Sequence, residues 1–225
     1  MRLDDRFQGF VGERDARRKF FREIRDGSRI LDLGCGEGKC AREISSLHTT
    51  IEIFGVDVID QSRVPSFIKY TNHDINITPI PYSDNQFDAV IMVHVLEHLT
   101  NWSALAREIN RVLKANGKLY VETPNWTTLF VPSIGVYRGQ HQTFNFFDDP
   151  THIKPWSKQG LFEFIQSGCD LQVKKTGTVR NWLRISFDPF IMIVGLIWKR
   201  RDLMVTAFWN LYGWRIYGIG CKEKD

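Results

Sequence analysis

Histidine and carboxylate side chains in two parts of this sequence could move a proton. The segment HVLEHL carries His94, Glu97 and His98 directly after an apolar run, and His141 and His152 lie in a later stretch rich in aromatic residues. Histidine is the natural side chain for general acid or base catalysis near neutral pH. If HVLEHL is helical, its three polar side chains share one face, because positions i, i+3 and i+4 are neighbours on a helix.

A glycine-rich stretch, ILDLGCGEGKC, could bind a ligand. Gly34, Gly36 and Gly38 stand on alternate positions after an apolar run that contains Asp32. A strand, a glycine turn and a helix in this order bring backbone N–H groups and the positive end of the helix toward a ligand. The NAD fingerprint needs a glycine where Lys39 stands, and the Gly-Lys-Ser/Thr of the phosphate loop does not occur here. The stretch therefore fits neither of these two phosphate binders.

Two further acids complete the outline of a pocket. Asp57, in IFGVDV, lies 21 residues after Gly36, where an acid can accept hydrogen bonds from a ribose diol. Asp74, in NHDI, ends the next predicted strand and could bond the exocyclic amino group of an adenine. With Asp32 and the glycine turn, these acids indicate a pocket for an adenosine ligand without phosphates, and one that also suits a positive charge.

The elements that position these residues alternate between short apolar runs and helical patterns. Strands are predicted at Arg29–Leu33, 51–56, 67–70, Phe87–Val93 and 118–122, with helices at 13–26, 37–47 and 102–113, the last closed by the turn Asn116-Gly117. Such alternation is typical of βαβ units, and the apolar run FDAVIMV is typical of a strand inside a parallel sheet. Further along, the pattern predicts a helix near 157–167 and two late strands, 171–179 and 214–222.

Five motifs follow one another in this framework: LDLGCGEGKCAREI, GVDV, HDI, FDAVIMVHVLEHL and GKLYVETPN. Together they resemble the class I S-adenosylmethionine-dependent methyltransferases, over roughly residues 15 to 180. The resemblance implies an α/β, Rossmann-like sheet of seven strands with helices on both faces and an antiparallel last strand. We expect a single domain over residues 1–225, with its core at about 15–180 plus 214–222.

The resemblance also implies a cofactor, S-adenosyl-L-methionine, and a role for each residue of the pocket. The glycine turn would cradle the amino-acid part of the cofactor, Asp57 would hold the ribose hydroxyls, and Asp74 would border the base. The full set of expected cofactor-binding residues is Asp32, Gly34, Cys35, Gly36, Asp57, Val58, Asp74, Ile75 and His94. Within it, Val58 would pack on the adenine and His94 would lie beside the methionine portion.

The long segment 125–156 has no clear periodicity, and we expect it to lie over the catalytic end of the sheet on the acceptor side. Its aromatic side chains could stack on sugar rings or planar metabolites, or pack on each other; they are Trp126, Phe130, Tyr137, Phe144, Phe146, Phe147 and Trp156. Two aspartates and His152 add groups that can bind hydroxyls. We therefore expect in-line methyl transfer to an oxygen of a hydroxylated small molecule or glycan. His152 is the expected base or acceptor-orienting residue, with Glu97 and His98 beside it.

Other functions stay open. The acceptor could be a quinone or another lipid, or the chain could be a non-catalytic cofactor-binding partner subunit, although the intact glycines and aspartates of the pocket argue against the latter. Some relatives, small-RNA 2′-O-methyltransferases and certain quinone-pathway O-methyltransferases, place a Glu–x–x–Glu–His cluster and a later histidine around a divalent metal. Here His94 replaces the first glutamate, so no metal is expected. Glu97 and His98 could instead brace loops by hydrogen bonds.

A second unusual segment, 187–212, has two apolar pieces around the cluster Lys199-Arg200-Arg201-Asp202. Each piece is too short to span a bilayer. An interfacial helix with basic anchors has this composition, and so has a helical cap or a homodimer surface inserted between the last two strands. Peripheral membrane contact through 187–212 is therefore one of three alternatives for this segment.

Composition limits the remaining classes. The 225 residues carry 30 Lys+Arg against 26 Asp+Glu, a modest excess that argues against a dedicated nucleic-acid binder. The four cysteines form no CxxC pair, which favours free thiols over a zinc or redox motif. The first twenty residues are charged and lack the apolar core of a secretory signal, so we expect a cytoplasmic protein.

Overall fold

One seven-stranded sheet forms the centre of the molecule, in the strand order β3-β2-β1-β4-β5-β7-β6. The structure is a computed structural model that describes residues 16–77, 79–133, 144–181 and 184–223. The strands are β1 (Arg29–Leu33), β2 (Glu52–Asp57), β3 (Lys69–Asn72), β4 (Phe87–Val93), β5 (Leu113–Pro124), β6 (Gln172–Thr178) and β7 (Arg215–Cys221). The first five strands run parallel, and β7 lies antiparallel to both β5 and β6. The predicted sheet with its antiparallel last strand is confirmed.

Helices cover both faces of this sheet. They are α1 (Ala16–Arg22), α2 (Lys39–Ser45), α3 (Trp102–Val112), α4 (Lys158–Glu163), α5 (Asp188–Ile197) and α6 (Arg201–Tyr212). Successive strand residues point to opposite faces, so Ile30 packs in one buried cluster with α1 and α2, while Leu31 packs in another with α3 and α4. Because both faces are covered, β4 is apolar along nearly its whole length, as its sequence indicated.

The end of α3 differs from the prediction. The helix ends at Val112 and the chain enters β5 at once, so the Asn116-Gly117 turn lies inside β5 instead of closing the helix. The register between β4 and β5 shifts at this point. Asn116 has φ of 62°, and a Cβ on Gly117 would lie 2.7 Å from the Lys114 carbonyl oxygen. The turn residues therefore form an irregularity within the strand, which Asn and Gly tolerate better than other residues.

The late apolar segment forms α5 and α6, inserted between β6 and β7. The two helices approach closely near their junction, where a Cβ on Gly195 would lie 2.9 Å from the Met204 backbone nitrogen. Within the described ranges, no helix is long and apolar enough to cross a membrane. The four cysteines, Cys35, Cys40, Cys169 and Cys221, are all free thiols, as predicted.

Candidate functional site

The predicted cofactor residues meet at one edge of the sheet. The carboxyl ends of parallel strands share an edge, and each strand from β1 to β4 is followed there by residues of the expected set. Gly34 follows β1, Val58 follows β2, Asp74 comes after β3, and His94 follows β4. The topology therefore brings four separate sequence motifs to the same place.

The glycine turn is tied to the neighbouring strand. The backbone N–H groups of Gly34 and Cys35 both donate to the Val56 carbonyl, at 2.8 and 3.1 Å. Gly34 has φ of 69°, and a Cβ there would lie 2.2 Å from Cγ2 of Val95. A Cβ on Gly36, with φ of 48°, would meet no atom of the described residues within 4 Å. Gly34 is thus required by packing, whereas Gly36 leaves open space over the loop in which a ligand can approach the backbone.

Asp57 holds a fixed carboxylate at the end of β2. One oxygen accepts from the Gly36 N–H at 2.7 Å, and the other accepts from the N–H groups of Val58 at 2.7 Å and Ile59 at 3.3 Å. The apolar side chain of Val58 beside it is 63% exposed. An oriented acceptor next to an uncovered apolar side chain fits a ribose and its planar base.

Asp74 and Ile75 lie at the next strand end. The Asp74 carboxylate accepts from the Asn76 N–H at 2.9 Å, and the Asp74 carbonyl accepts from the Ile77 N–H at 2.9 Å. Ile75 is buried in the core. This turn therefore presents Asp74 from a rigid base, although its carboxylate is already used in part by the local backbone.

Asp32 is a buried acid on β1, two residues before the first glycine of the turn. Its side chain is only 2% exposed, and its Oδ2 atom has no hydrogen-bond partner among the residues that the structure describes. Burial raises the pKa of Asp32 to about 8; the charge of Asp57 adds to the rise, and Arg17 opposes it. A buried acceptor without a partner is costly. It fits a ligand that brings a cationic donor, such as the amino group of S-adenosylmethionine.

His94 lies at the carboxyl end of β4, and its imidazole faces two buried carboxylates. Its Nδ1 lies 3.3 Å from Oε1 of Glu97, and its Nε2 lies 3.7 Å from Oε1 of Glu122. His94 has φ of 57°. A positive φ is uncommon for residues other than glycine and is often found at functional sites. The segment HVLEHL is not an α-helix; only the short turn Leu96–His98 is helical. The common face that His94, Glu97 and His98 would share on an α-helix is therefore not formed.

Glu97 is the centre of a polar cluster that also contains His94, His98 and His152. It is fully buried, its Oε2 accepts from the Thr123 hydroxyl at 2.8 Å, and its Oε1 faces His94 and, at 4.0 Å, Nε2 of His152. Burial acts to raise the pKa of Glu97, but the hydrogen bond and charge of His94 outweigh it, so this pKa lies below its ordinary value. Its backbone carbonyl also accepts from Ile153 at 2.8 Å. This bond connects the polar cluster to the segment 125–156, called the acceptor segment below.

His152 has a defined tautomer in its neutral form. Its Nδ1 lies 2.6 Å from the Phe146 carbonyl oxygen, which can only accept, so Nδ1 carries the proton and Nε2 is the basic nitrogen. Nε2 faces Oε1 of Glu97 at 4.0 Å and Oδ2 of Asp149 at 3.9 Å. Burial lowers the pKa of His152, against the raising effects of these partners. The arrangement therefore keeps the imidazole neutral while providing two carboxylates for its protonated form.

His98 packs against His152, with 4.8 Å between the ring centroids and an angle of 52° between the ring planes. Its Nδ1 lies 3.1 Å from the Thr151 carbonyl oxygen and 3.0 Å from the Thr151 hydroxyl. One ligand atom from each of Glu97, His98 and His152 can be chosen so that all three lie within 4.8 Å of one another. Two imidazoles and a carboxylate are a donor set that zinc and similar cations accept.

The acceptor segment begins and ends at one point. Asn125 and Trp156 form a parallel bridge, and the Trp126 N–H donates to the Trp156 carbonyl at 2.8 Å. Of the predicted aromatic set, Phe144, Phe146 and Trp156 are buried, whereas Trp126, Phe130 and Phe147 are exposed. Tyr137 and the candidate base His141 lie outside the described residues. Asp148 is buried and accepts from the backbone of Phe144 and Asn145, so this acid supports the loop.

Glu122 is a site residue that sequence reasoning missed. It lies on β5 with no exposed side-chain area, 2.7 Å from Arg215 and 3.7 Å from Arg17, and it accepts from the Tyr120 hydroxyl at 2.7 Å. Burial acts to raise the pKa of Glu122, but Arg215, Arg17 and His94 outweigh it and lower this pKa to about 2. The available signal was an acid inside the apolar run KLYVETP, because an acid there must be paired.

Comparisons with known proteins agree with this arrangement. The family described as "Methyltransferase domain" matches residues 8–166. The mitochondrial ubiquinone biosynthesis O-methyltransferase of Dictyostelium discoideum is 25% identical over 185 residues, which cover 72% of this chain and 56% of that protein. The chain spans about half the length of the curated relatives it matches.

Solved structures show the same fold. A methyltransferase in complex with the Haloferax volcanii Trm112 methyltransferase activator aligns with a TM-score of 0.65 and 16% identity, covering 98% of this chain and 96% of that one. Haemonchus contortus phosphoethanolamine N-methyltransferase 2 in complex with S-adenosyl-L-methionine aligns with a TM-score of 0.60 and 16% identity, covering 92% and 51%. With its sheet order, its glycine turn and this family match, the chain belongs to the methyltransferase domain family and has the fold of the class I S-adenosylmethionine-dependent enzymes.

Proposed function

We propose that this protein transfers the methyl group of S-adenosyl-L-methionine to a hydroxyl oxygen of a small-molecule or glycan acceptor, with His152 as the general base. The observation that carries the proposal is the state of His152. Its Nδ1 is held by the Phe146 carbonyl, and its Nε2 is left as the basic nitrogen beside Glu97. A histidine fixed in one tautomer by a backbone carbonyl, with a carboxylate near its basic nitrogen, is suited to accept a proton.

The residues at the carboxyl ends of β1 and β2 would bind the cofactor. When bound, the cofactor supplies a methyl group activated by a positively charged sulfur. Asp32 would accept from the amino group, and Asp57, already oriented by three backbone N–H groups, would accept from the ribose. Val58 would cover one face of the base. These residues bind and orient, which is the main contribution a protein makes to such a displacement.

The polar cluster would accept the proton that the acceptor hydroxyl loses. As the acceptor oxygen attacks, its proton would pass to Nε2 of His152, and the resulting imidazolium would face the carboxylates of Glu97 and Asp149. His98 contacts the His152 ring at a tilted angle and would help to keep it in position. Glu97 would act on the reaction through His152, because it is fully buried and also held by Thr123.

The rim of the acceptor segment favours a flat or partly apolar acceptor. Trp126 and Phe130 form an edge-to-face pair with 5.6 Å between their centroids, and both are exposed, as is Phe147. Exposed aromatics beside a polar base suit a phenol, a sugar ring or a quinone-type head group. The Dictyostelium relative is named as an O-methyltransferase of ubiquinone biosynthesis. This similarity supports a hydroxyl acceptor and keeps a lipid-linked quinol as an alternative.

A divalent cation is a second candidate for the same cluster. The ligand atoms of Glu97, His98 and His152 converge within 4.8 Å, and a cation there would hold the acceptor oxygen and lower the pKa of its hydroxyl. His94 stands where the metal-using relatives have a further glutamate. Its hydrogen bond to Glu97 occupies that carboxylate in part, which favours the base over the cation.

The experiment is an assay of S-adenosylhomocysteine formation with a panel of acceptors: catechols, hydroquinones with and without a prenyl tail, and glycosides. Methylated product with one hydroxylated class, retained after treatment with a chelator, would support the base. Activity lost with the chelator and restored by one cation would assign the cluster to a metal. Cofactor binding without transfer to any acceptor would favour the non-catalytic partner subunit.

A further inference from the structure

We propose that the outer face of α5 and the loop after it form a docking element for an anionic membrane surface. This docking element consists of Phe187, Phe190, Ile193, Leu196, Ile197 and Trp198 with the basic tip Lys199, Arg200 and Arg201. Each of the six apolar side chains is more than half exposed. Contiguous exposed apolar surface of this kind is rare on soluble proteins and marks a surface that binds something.

The apolar side chains recur with helical spacing. Phe187, Phe190, Ile193 and Ile197 fall at intervals of three or four residues, so they lie along one stripe of α5. The opposite side of the helix is already used: Gly195 is buried against α6 and would clash with the Met204 backbone if it carried a Cβ. The exposed stripe therefore cannot turn inward without separating the two helices.

Polar contacts at the two ends hold the hairpin in place. At the start of α5 the buried Asp188 accepts from Nε of Arg184 at 2.8 Å and also bonds Asn210 of α6. At the other end the Arg200 N–H donates to the Gly195 carbonyl at 2.7 Å. With both ends fixed, the stripe is presented as a preformed surface.

Charge decides the occupant. Residues 184–212 contain four basic side chains, Arg184 and the three of the tip, against two acids, Asp188 and Asp202. Asp188 pairs with Arg184 at the start of α5, and the three cations of the tip stand next in sequence to a single acid, Asp202. An aromatic residue followed by cations at the end of an apolar stripe is the arrangement of helices that lie in the interface of anionic bilayers. A ten-residue helix measures about 15 Å, half the hydrocarbon thickness, so it can lie on a membrane without spanning it.

The same hairpin is attached to the acceptor segment. Val205 of α6 is buried in one cluster with Val131 and Phe144, and the Tyr212 hydroxyl donates to the Thr127 carbonyl at 2.7 Å. Docking through α5 would thus bring the acceptor segment close to the bilayer. The docking proposal stands independently of the methyl-transfer chemistry.

The test is co-sedimentation of the purified full chain with vesicles of phosphatidylcholine alone and with 30% phosphatidylglycerol. We expect binding to the anionic vesicles, weaker binding to the neutral ones, and a fall with added salt. Phe190→Ser/Ile197→Ser and, separately, Lys199→Ala/Arg201→Ala should each reduce anionic binding about tenfold or more. Phe162→Ser, on α4, and Lys174→Ala/Lys175→Ala, on β6, lie outside the docking element and are the matched controls.

Thermal melting of each variant shows whether it is folded, since all the substituted apolar side chains are exposed. Equal vesicle binding by the wild type and both docking variants would overturn the proposal, as would no binding by the wild type. A concentration-dependent dimer that dissociates in Phe190→Ser/Ile197→Ser, without vesicle binding, would assign the stripe to a second copy of the chain and overturn it as well.

Discussion

Nε2 of His152 faces Oε1 of Glu97 at 4.0 Å, with the carboxylate fully buried and the far nitrogen of the imidazole held by a carbonyl. These two residues are far apart in the sequence. They meet because the backbone carbonyl of Glu97 accepts from Ile153 and Lys154, directly after His152. Burial lowers the pKa of His152, so the imidazole is neutral before the reaction, and the buried, ionised carboxylate is a partner for the imidazolium that forms when it takes up a proton.

Loss of His152 tests its role as the base. His152→Ala and His152→Gln should lower kcat by about 10² to 10⁴-fold, the usual contribution of general base catalysis, while the affinity for S-adenosylhomocysteine stays within about twofold. His98→Ala, which leaves the base in place, should have a much smaller effect on kcat. Steady-state kinetics and calorimetry on the same samples measure both quantities. A His152→Ala enzyme with wild-type kcat would remove the base from the account.

The buried carboxyl of Asp32 predicts a pH-dependent cofactor affinity. With a pKa of about 8 in the free protein, the group is protonated at neutral pH, whereas binding a cationic amino group requires its ionised form. Binding should therefore release a proton, and affinity should fall as pH is lowered below 8, by up to about tenfold per unit. Titrations of S-adenosylhomocysteine between pH 6 and 8.5, in buffers with different ionisation enthalpies, measure this release. Asp32→Asn should show no such dependence; an unchanged affinity across the range in the wild type would contradict the assignment.

Two glycines of one turn should respond differently to the same substitution. Gly34→Ala places a methyl group 2.2 Å from Val95, so we expect destabilisation by a few kcal/mol, in the range of about 1 to 3 for overpacking plus the cost of the positive φ. Gly36→Ala meets no neighbour within 4 Å in the part of the chain that the structure describes and should cost only about 1 to 2 kcal/mol from the positive φ. Its methyl group would enter the space left for the ligand, so cofactor affinity should fall while the fold persists. Urea unfolding and calorimetry separate the two; a Gly36→Ala protein with full affinity would contradict an approach of the ligand over this residue.

The ion cluster at Glu122 should be a source of stability. Glu122→Ala leaves Arg215 without its partner, and breaking a buried pair costs about 3 to 5 kcal/mol in the free energy of unfolding. The pKa of Glu122 is lowered to about 2 from about 4.3 in an unfolded chain, so its contribution is fully present above the latter value and is lost as pH falls toward 2. The difference between wild type and variant, measured by urea unfolding, should shrink over that window. Glu163→Ala, on the exposed side of α4, is the control, and an equal effect of the two substitutions would refute the prediction.

The strands and the cofactor edge could be predicted from sequence because their signals are local. The run FDAVIMV is apolar on both faces since both are covered, and the glycines of the first turn stand where positive φ and close packing require them. The resemblance of the five motifs to the methyltransferase family predicted how these strands and the glycine turn are arranged in one sheet. The end of α3 was not predicted correctly: the Asn116-Gly117 turn indicated the end of a helix, but Leu113 already pairs with Phe87 of β4, and the turn lies inside β5 with backbone bonds to Lys222.

The polar cluster could be predicted only as a set of candidates. Its geometry depends on contacts between residues distant in sequence, such as Arg215 with Glu122 and His98 with Thr151. The periodicity of HVLEHL suggested a helix, yet the positive φ of His94 and the hydrogen bonds of Glu97 hold a short turn instead. No local pattern distinguishes these outcomes, because the deciding partners come from β5, β7 and the acceptor segment.

The most direct test of the central claim is a calorimetric titration of the wild type with S-adenosylhomocysteine, beside Asp57→Ala and an NAD control. The account predicts binding by the wild type, at least about tenfold weaker binding by the variant, since charged hydrogen bonds to the ribose would be lost, and no heat with NAD. A folded wild type that does not bind S-adenosylhomocysteine, or an Asp57→Ala variant that binds it equally well, would contradict the account.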